Sequence, residues 1–263
     1  MTISDSQSAP LFSIITVCRN AEATIKRTIQ SVLDQSFTDY EYLVIDGASS
    51  DKTLRHVQGF ASAFDGTNSG ILHYSSEADQ GIYDAMNKGL ARARGSYVAF
   101  LNADDWYSDD ALTTVASLTS SSIDCIAGAT RVFSLDGSSQ VRPARKDVLL
   151  QPYPPAMPAT HQSWFARTEL LRMLGGFNTD FTIAADYELF LRIHKLNRLW
   201  AFSPEVLANF SLGGASYDIA PTAMQYAHAK RANGDSIVHA WGVYLRNVSA
   251  AFMRRIVART TQR

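Results

Sequence analysis

The chain has 263 residues, of which 46% are hydrophobic and 19% charged, with a formal net charge of −1. That length buries a substantial core in one domain, or in one domain with a subdomain. The composition is that of a soluble globular chain, and the charge balance excludes a global basic field for nucleic acid.

Residues 1–10 are polar and lack the basic-then-apolar pattern of a secretory signal. Leu11 to Cys18 (LFSIITVC) is a continuous β-prone run, the pattern of a strand buried on both faces. Asn20 is placed to cap a helix in which Ile25, Ile29, Val32 and Leu33 recur at helical spacing. Tyr40 to Ile45 reads as a second strand ending in Asp46-Gly47, and 51–60 as a helix. Ile71 to Tyr74 reads as a short strand, and Ile82 to Arg94 as a helix stopped by Gly95. Tyr97 to Leu101 is a further apolar strand, running into Asn102-Ala103-Asp104-Asp105. Asp109 or Asp110 starts a helix to about Leu118. Strands alternating with helices predict βαβ units and a largely parallel sheet, with ligands beyond the strands' carboxyl ends. This first half therefore reads as nucleotide-binding.

Beyond residue 120 the pattern changes. Residues 123–141 read as a hairpin around Asp136-Gly137. Gln151 to Pro158 carries four prolines in eight residues and reads as an irregular loop. Helices are predicted at 168–174 and 184–197, and this half is taken as the acceptor side. Cys18 and Cys125 lie in apolar runs outside any CxxC or Cys/His cluster, the pattern of buried reduced thiols. No stretch approaches the ~20 apolar residues of a spanning helix. A cytoplasmic location is expected, with docking at the inner membrane face as its extension.

The polar clusters each allow two readings. Adjacent Asp104 and Asp105 repel unless a cation lies beside them, which suits Mg²⁺ or Mn²⁺ on a diphosphate; the alternative is a solvated turn. Asp46 to Asp51 offers acceptors for a base or ribose, or else a turn and helix cap. In the run around Asp79, Asp84 and Lys88 share a helix face. They suit a sugar or ribose hydroxyl and a phosphate, or a merely solvated face. Asp186, in a first helical turn, is held as a carboxylate and suits a general base, or simply stabilises its helix. His161-Gln162 is a further candidate pair.

Taken together, FSIITVCRN, LVIDGASSDKT, EADQGIYDAMNKG, AFLNADDW, HQSWFAR and TIAADYELFLRI resemble the inverting family 2 glycosyltransferases, in the branch that builds bacterial surface polysaccharides. The resemblance covers about residues 11 to 215. It implies the GT-A fold, an α/β Rossmann-like sheet flanked by helices. The implied divisions are a flexible 1–10, a nucleotide-sugar-binding half at 11–120, an acceptor and catalytic-base half at 121–217, and a helical tail at 218–263. The implied donor site is Asp46 at the nucleotide base beside Val17 and Arg19, with Asp79, Asp84, Lys88 and Asn102. Asp104 is implied to face ribose or metal, and Asp105 to bind Mn²⁺ or Mg²⁺ and diphosphate. Asp186 is implied as the catalytic base, with His161, Gln162 and Glu188 on the acceptor side. Asn102 and Ala185 depart from the family pattern, each replacing an acid. The implied reaction moves a sugar, with inversion, from a nucleoside-diphosphate sugar to a sugar or lipid-linked saccharide.

From Ser236 onward there is no acidic residue, and apolar positions recur at helical spacing among five arginines. Such a helix lies on an anionic membrane, or packs on the domain or on a second copy in a homodimer. The stretch from Gly213 to Ser216 is either a mobile loop over the site or a plain turn. Two rival functions are weighed. A nucleotidyltransferase would want a Gly-rich basic loop after the first strand, where Cys18-Arg19-Asn20-Ala21-Glu22 stands. A catalytically silent nucleotide- or sugar-binding module is the reading that Asn102 and Ala185 favour.

Overall fold

The computed structural model describes residues 9–64, 72–213, 219–242 and 245. In chain order its first elements are β1 (Phe12–Cys18), α1 (Ile25–Leu33), β2 (Tyr40–Asp46), α2 (Thr53–Phe64), β3 (Leu72–Ser76), α3 (Ile82–Arg92) and β4 (Tyr97–Phe100). There follow β5 (Trp106–Tyr107), α4 (Ala111–Leu118), β6 (Cys125–Phe133), β7 (Ser139–Arg142), β8 (Trp164–Arg167), α5 (Thr168–Met173), α6 (Ala185–Lys195), β9 (Trp200–Ser211) and α7 (Ile219–Ala232).

All nine strands join one sheet in the order β3-β2-β1-β4-β8-β6-β9-β5, with β7 on β6. The first four are parallel, as the βαβ alternation requires. Beyond β4 the sheet turns mixed. β8 runs antiparallel to β4 and to β6, and β9 runs parallel to β6 but antiparallel to β5. β1 lies inside the parallel part, so every one of its residues is buried. Its alternating side chains feed two cores. Ile15 and Val17 pack with Met86 and Leu90 of α3 and with Tyr187 and Phe190 of α6. Phe12 and Ile14 pack on the other face with Ile25 and Ile29 of α1 and Leu112 and Val115 of α4. Cys18 and Cys125 are buried free thiols.

Three expectations are corrected. Asn20 does not cap α1, which opens at Ile25; it takes a left-handed backbone (φ 52°), and its Oδ1 accepts Ser50 N–H at 2.9 Å, tying the loop after β1 to the loop after β2. β8 and β9 are strands where no strand was expected. The 51–60 helix opens instead at Thr53, whose N–H donates to Asp51 Oδ1 at 2.9 Å. Among the described residues no helix is long and apolar enough to cross a membrane. The expected tail beyond Ser236 is described only as a helical stretch at 237–242, with Leu245; the rest, like 214–218, lies outside the described residues.

One ion pair on a buried glutamate fixes the strand ends opposite the polar loops. Glu41 on β2 accepts Ser13 Oγ–H at 2.6 Å and Arg94 Nε–H at 2.8 Å. Burial pushes its carboxyl up, but the bonds from Ser13 and Arg94 together hold it below the usual glutamate range. Its contribution to stability is therefore present above the unfolded-state pKa and lost as pH falls through the folded one. Glu41→Ala is expected to destabilise the fold by about 1–3 kcal/mol at neutral pH, because it leaves the buried Ser13 hydroxyl and the Arg94 backbone N–H without their acceptor. Urea unfolding would measure this, and the deficit against wild type should shrink toward pH 3.

Candidate active site

The carboxyl ends of β1, β2 and β4 carry the loops at Arg19-Asn20, Asp46 to Asp51 and Asn102 to Asp105, which the parallel pairing brings to one edge. Asp46 is fully buried, and four donors surround its carboxylate. Ser49 Oγ donates at 2.5 Å, Ser49 N at 3.0 Å, Ser76 Oγ at 2.6 Å, and the Cys18 thiol approaches at 3.7 Å. Burial, followed by the Asp46 charge, pushes the Cys18 thiol far above its ordinary range, so it stays a neutral donor. Val17 is buried in the core below, and Arg19 is exposed above. A Cβ at Gly47 would lie 2.1 Å from Asp79 Oδ2, so a larger residue there would displace that carboxylate. Asp79 Oδ1 in turn accepts Gly81 N–H at 2.9 Å.

Asp84 and Lys88 form the expected i,i+4 pair at 3.3 Å on α3. Their polar groups hold the loop before the helix: Asp84 Oδ2 accepts Gln80 N–H, and Lys88 Nζ donates to Ala78 O. In this structure they position the loop that carries Asp79.

Asp104 and Asp105 separate sharply. Asp105 is fully buried; its Oδ2 accepts Gln162 Nε2–H at 2.7 Å and its Oδ1 accepts Ser211 N–H at 2.9 Å. Burial, then the neighbouring Asp104 charge, pushes its carboxyl up to about 7. Asp104 is half-buried, and its carboxylate has no hydrogen-bond partner among the described residues; only its backbone O is held, by Arg27 and Ser211. Arg27 stacks on Trp106, 3.6 Å from the ring centroid. Thr28 Oγ1 donates to both Ala103 O and Asp105 O, which fixes the turn.

A 3-10 turn, His161–Ser163, links this region to α6. Neighbouring residues on it reach different carboxylates: Gln162 bonds Asp105, while His161 Nδ1 lies 3.3 Å from Asp186 Oδ2. Asp186 Oδ1 accepts Tyr187 N–H at 2.8 Å and faces the Tyr83 hydroxyl at 3.4 Å. The loop before α6 is braced from α7, where Gln225 Oε1 accepts Ile183 N–H and Ala184 N–H. Ala185, at the position where the family resemblance places an acid, is fully buried in the core, so a methyl stands where a carboxylate would need a partner.

Glu188 is the residue the structure takes out of the expected set. Its carboxylate accepts Arg192 Nε–H at 2.9 Å and Asn233 Nδ2–H at 3.2 Å, and Arg192 donates on to Leu174 O and Gly176 O. Two residues beyond Asp186 on a helix, it faces another way, and it serves as an internal brace. Sequence reasoning missed Arg27, Tyr83, Ser211 and Gln225, which hold the site from other elements. Tyr83 lies inside the EADQGIYDAMNKG motif, where no role was assigned to it; the other three belong to no local motif.

Three polar atoms here are buried without a partner among the described residues: Asn102 Oδ1, His161 Nε2 and Gln162 Oε1. Buried polar atoms are nearly always paired with protein, water or a ligand, so these three, on residues bonded to or in contact with Asp105 or Asp186 or next to them in sequence, leave polar positions open to such a partner.

The fold is α/β, and it gathers this edge of carboxylates at the carboxyl ends of parallel strands, the place where such sheets generally take ligands. The chain matches the family described as Glycosyl transferase family 2 over residues 13–185, and it belongs to that family. It is 32% identical over 194 residues to an uncharacterized glycosyltransferase of Mycobacterium tuberculosis, covering 70% of this chain and 69% of that one. It is 39% identical over 103 residues to a putative teichuronic acid biosynthesis glycosyltransferase of Bacillus subtilis, covering 39% of each. Among solved structures it is similar to the mannosyltransferase PcManGT of Pyrobaculum calidifontis in complex with GDP-Man and Mn²⁺. That match has a TM-score of 0.66 at 18% identity and covers 97% of this chain and 81% of the other. It is also similar to S. aureus TarS 1-349 in complex with UDP, with a TM-score of 0.64 at 17% identity, covering 92% and 72%. The fold is GT-A, a curled mixed sheet flanked by helices.

Proposed function

We propose that the chain transfers a sugar from a nucleoside-diphosphate sugar to an acceptor hydroxyl with inversion, in bacterial surface-polysaccharide assembly. The observation that carries this reading is the set of unpartnered atoms on Asn102, His161 and Gln162, residues that touch or adjoin Asp105 and Asp186. Relatives support the product class: besides the teichuronic acid protein, a Mycobacterium bovis PGL/p-HBAD biosynthesis glycosyltransferase is 40% identical over 114 residues, covering 42% of each chain. Residues 11–120 then form the donor half, and 121–217 the acceptor half.

The base and ribose would lie against the Arg19 and Asp46 to Asp51 loops, with Asp79 beside them. Asp46 reaches the donor only by releasing one of its serine hydroxyls, Ser49 or Ser76, because its acceptor sites are filled. Asp104, Asp105 and the Asn102 carbonyl form an all-oxygen donor set suited to Mn²⁺ or Mg²⁺. Among the described residues no three acidic, His or Cys side chains form a cage, and such ions on a diphosphate need only one or two carboxylates. When bound, the ion neutralises charge on the departing diphosphate. Under this reading the order of the two carboxylates changes from the one the resemblance implies. Open Asp104 is the readier ligand, while Asp105 must first lose its proton and its bond to Gln162. Asp186, at the start of α6, takes the acceptor hydroxyl's proton on the face opposite the diphosphate.

Thermal shift with nucleoside diphosphates and their sugars tests this reading. At least one pair should raise the melting temperature, and more so with Mn²⁺, since a ligand of the folded state alone stabilises it. A flat response to every pair, with and without Mn²⁺, would overturn it.

A further inference from the structure

The charge of the chain is unevenly spread. Its net charge is −1, yet residues 236–263 carry five arginines and no acidic residue. The described start of this stretch is the helical segment at 237–242, with Leu245. At helical spacing Ile237, Val238, Trp241 and Leu245 share one face. Ile237 is 58% exposed, Val238 80% and Leu245 61%, while Ala240 is buried. The sequence carries the same spacing on through Val248, Phe252 and Ile256. The start of the stretch is firmly anchored. Buried Asp235 pairs with buried Lys230 at 3.4 Å and with His239 Nδ1 at 2.7 Å.

Two other segments meet it there. The Tyr153 hydroxyl donates to Gly234 O at 3.2 Å, and its ring centroid lies 6.0 Å from that of His239. His194, in the last turn of α6, holds Nε2 2.9 Å from Gln151 O. The segments enclose a cavity of about 220 Å³ lined by Pro152, Tyr153, Lys195 and Gly234 among others. Lys195 is exposed, and Leu150, just before this loop, is 86% exposed. Single exposed apolar residues are ordinary, but several grouped with cations mark a contact surface.

We propose that this face docks the chain on an anionic lipid bilayer. Leu150, Ile237, Val238 and Leu245 enter the boundary between headgroups and acyl chains, and Lys195 and the five arginines meet the lipid phosphates. Charge decides for lipid over a second copy of the chain. In a two-fold contact the surface meets itself, so arginines would face arginines with no acid in the stretch to pair them. An anionic bilayer attracts each of them, by about fivefold in affinity per basic residue near its surface. The inference does not depend on the glycosyl-transfer reading. Under that reading it suits a lipid-linked acceptor, because the 152–158 loop runs from this face toward His161 and Gln162.

The test is sedimentation of the full chain with vesicles of phosphatidylcholine alone or mixed with phosphatidylglycerol; it needs no turnover, so its outcome is separate from that of the sugar-transfer assays. The chain is expected to sediment with the mixed vesicles only, and to be released in 1 M salt, where the screening length falls to about 3 Å. Val238→Asp should weaken binding by at least about tenfold, through lost apolar burial and an opposed charge. Its melting temperature should not move, because Val238 is exposed. Arg254→Gln with Arg255→Gln should weaken binding by about twentyfold. Failure to sediment with the mixed vesicles overturns the proposal, as does equal sedimentation with both kinds. Wild-type binding by either variant overturns it too. So does a lipid-free dimer that Val238→Asp splits, since a second copy then covers this face.

Discussion

Asp186→Asn is expected to lower kcat for sugar transfer by about 10²–10⁴-fold, the usual worth of a general base, while donor affinity stays at its wild-type value. The substitution is isosteric. The Asn oxygen still accepts Tyr187 N–H, so the first turn of α6 keeps its shape. What is lost is the charge. With the carboxylate present, the His161 ring is attracted at 3.3 Å and any positive charge arriving there is balanced. An amide balances nothing. The bonds of Asp186 run to Tyr187 and Tyr83 and its further contact to His161, and none to the donor loops at Asp46 to Asp51 and Asn102 to Asp105, so nucleotide-sugar affinity should not move. Losing an acid from a helix's first turn costs up to about 1 kcal/mol of stability, too little to unfold the chain. Initial rates at saturating donor, paired with the donor-induced thermal shift, measure both quantities. A variant with near-normal kcat and normal donor binding would remove Asp186 from the chemistry.

Legibility in the sequence follows locality. β1, β2 and β4 can be read because strands buried on both faces are unbroken apolar runs, and α1 and α3 because their apolar residues recur at helical spacing. β9 cannot. Ser203-Pro204-Glu205 interrupts its pattern, and its register against β6 shifts around Ala129, so neither alternation nor a continuous run survives. Asn20 misleads for a similar reason: an amide followed by a helix looks like a cap, whereas its true partner, Ser50, lies on the next strand's loop. At the site, Asp46, Asp105 and Asp186 stand out through their order along the chain. Their states do not. Ser211 reaches Asp105 only because β9 pairs with β5, and Gln162 reaches it only because a 3-10 turn sends neighbouring side chains apart. Whether a carboxylate is open, like Asp104, or sealed, like Asp105, is a property of those long-range pairings.

The second large effect lies in that sealed carboxylate. Asp105→Asn is expected to lower transfer by about 10²–10³-fold, the scale of losing one charge-stabilising group at a reacting diphosphate, and yet to leave a more stable protein above pH 7. Burial and Asp104 hold the Asp105 carboxyl at about 7 in the folded chain, above its unfolded value near 3.8. Across that interval the folded state binds the extra proton, so stability falls as pH rises through it and is lowest once the buried carboxylate is ionised. An Asn carries no charge to desolvate. It can still accept Ser211 N–H, and its amide can donate to Gln162 Oε1, an atom without a partner among the described residues, once the Gln162 side chain turns over. The melting temperature of the variant should therefore exceed that of wild type at pH 8, and the two should converge toward pH 4. The same proton governs the cation. Below pH 7, Mn²⁺ must displace it, so apparent Mn²⁺ affinity should fall as pH is lowered from 8 to 6, with proton release measurable by calorimetry in buffers of different ionisation enthalpy. Equal Mn²⁺ affinity at pH 6 and 8, or an Asp105→Asn variant that transfers sugar normally, would show that the ion sits on Asp104 without Asp105.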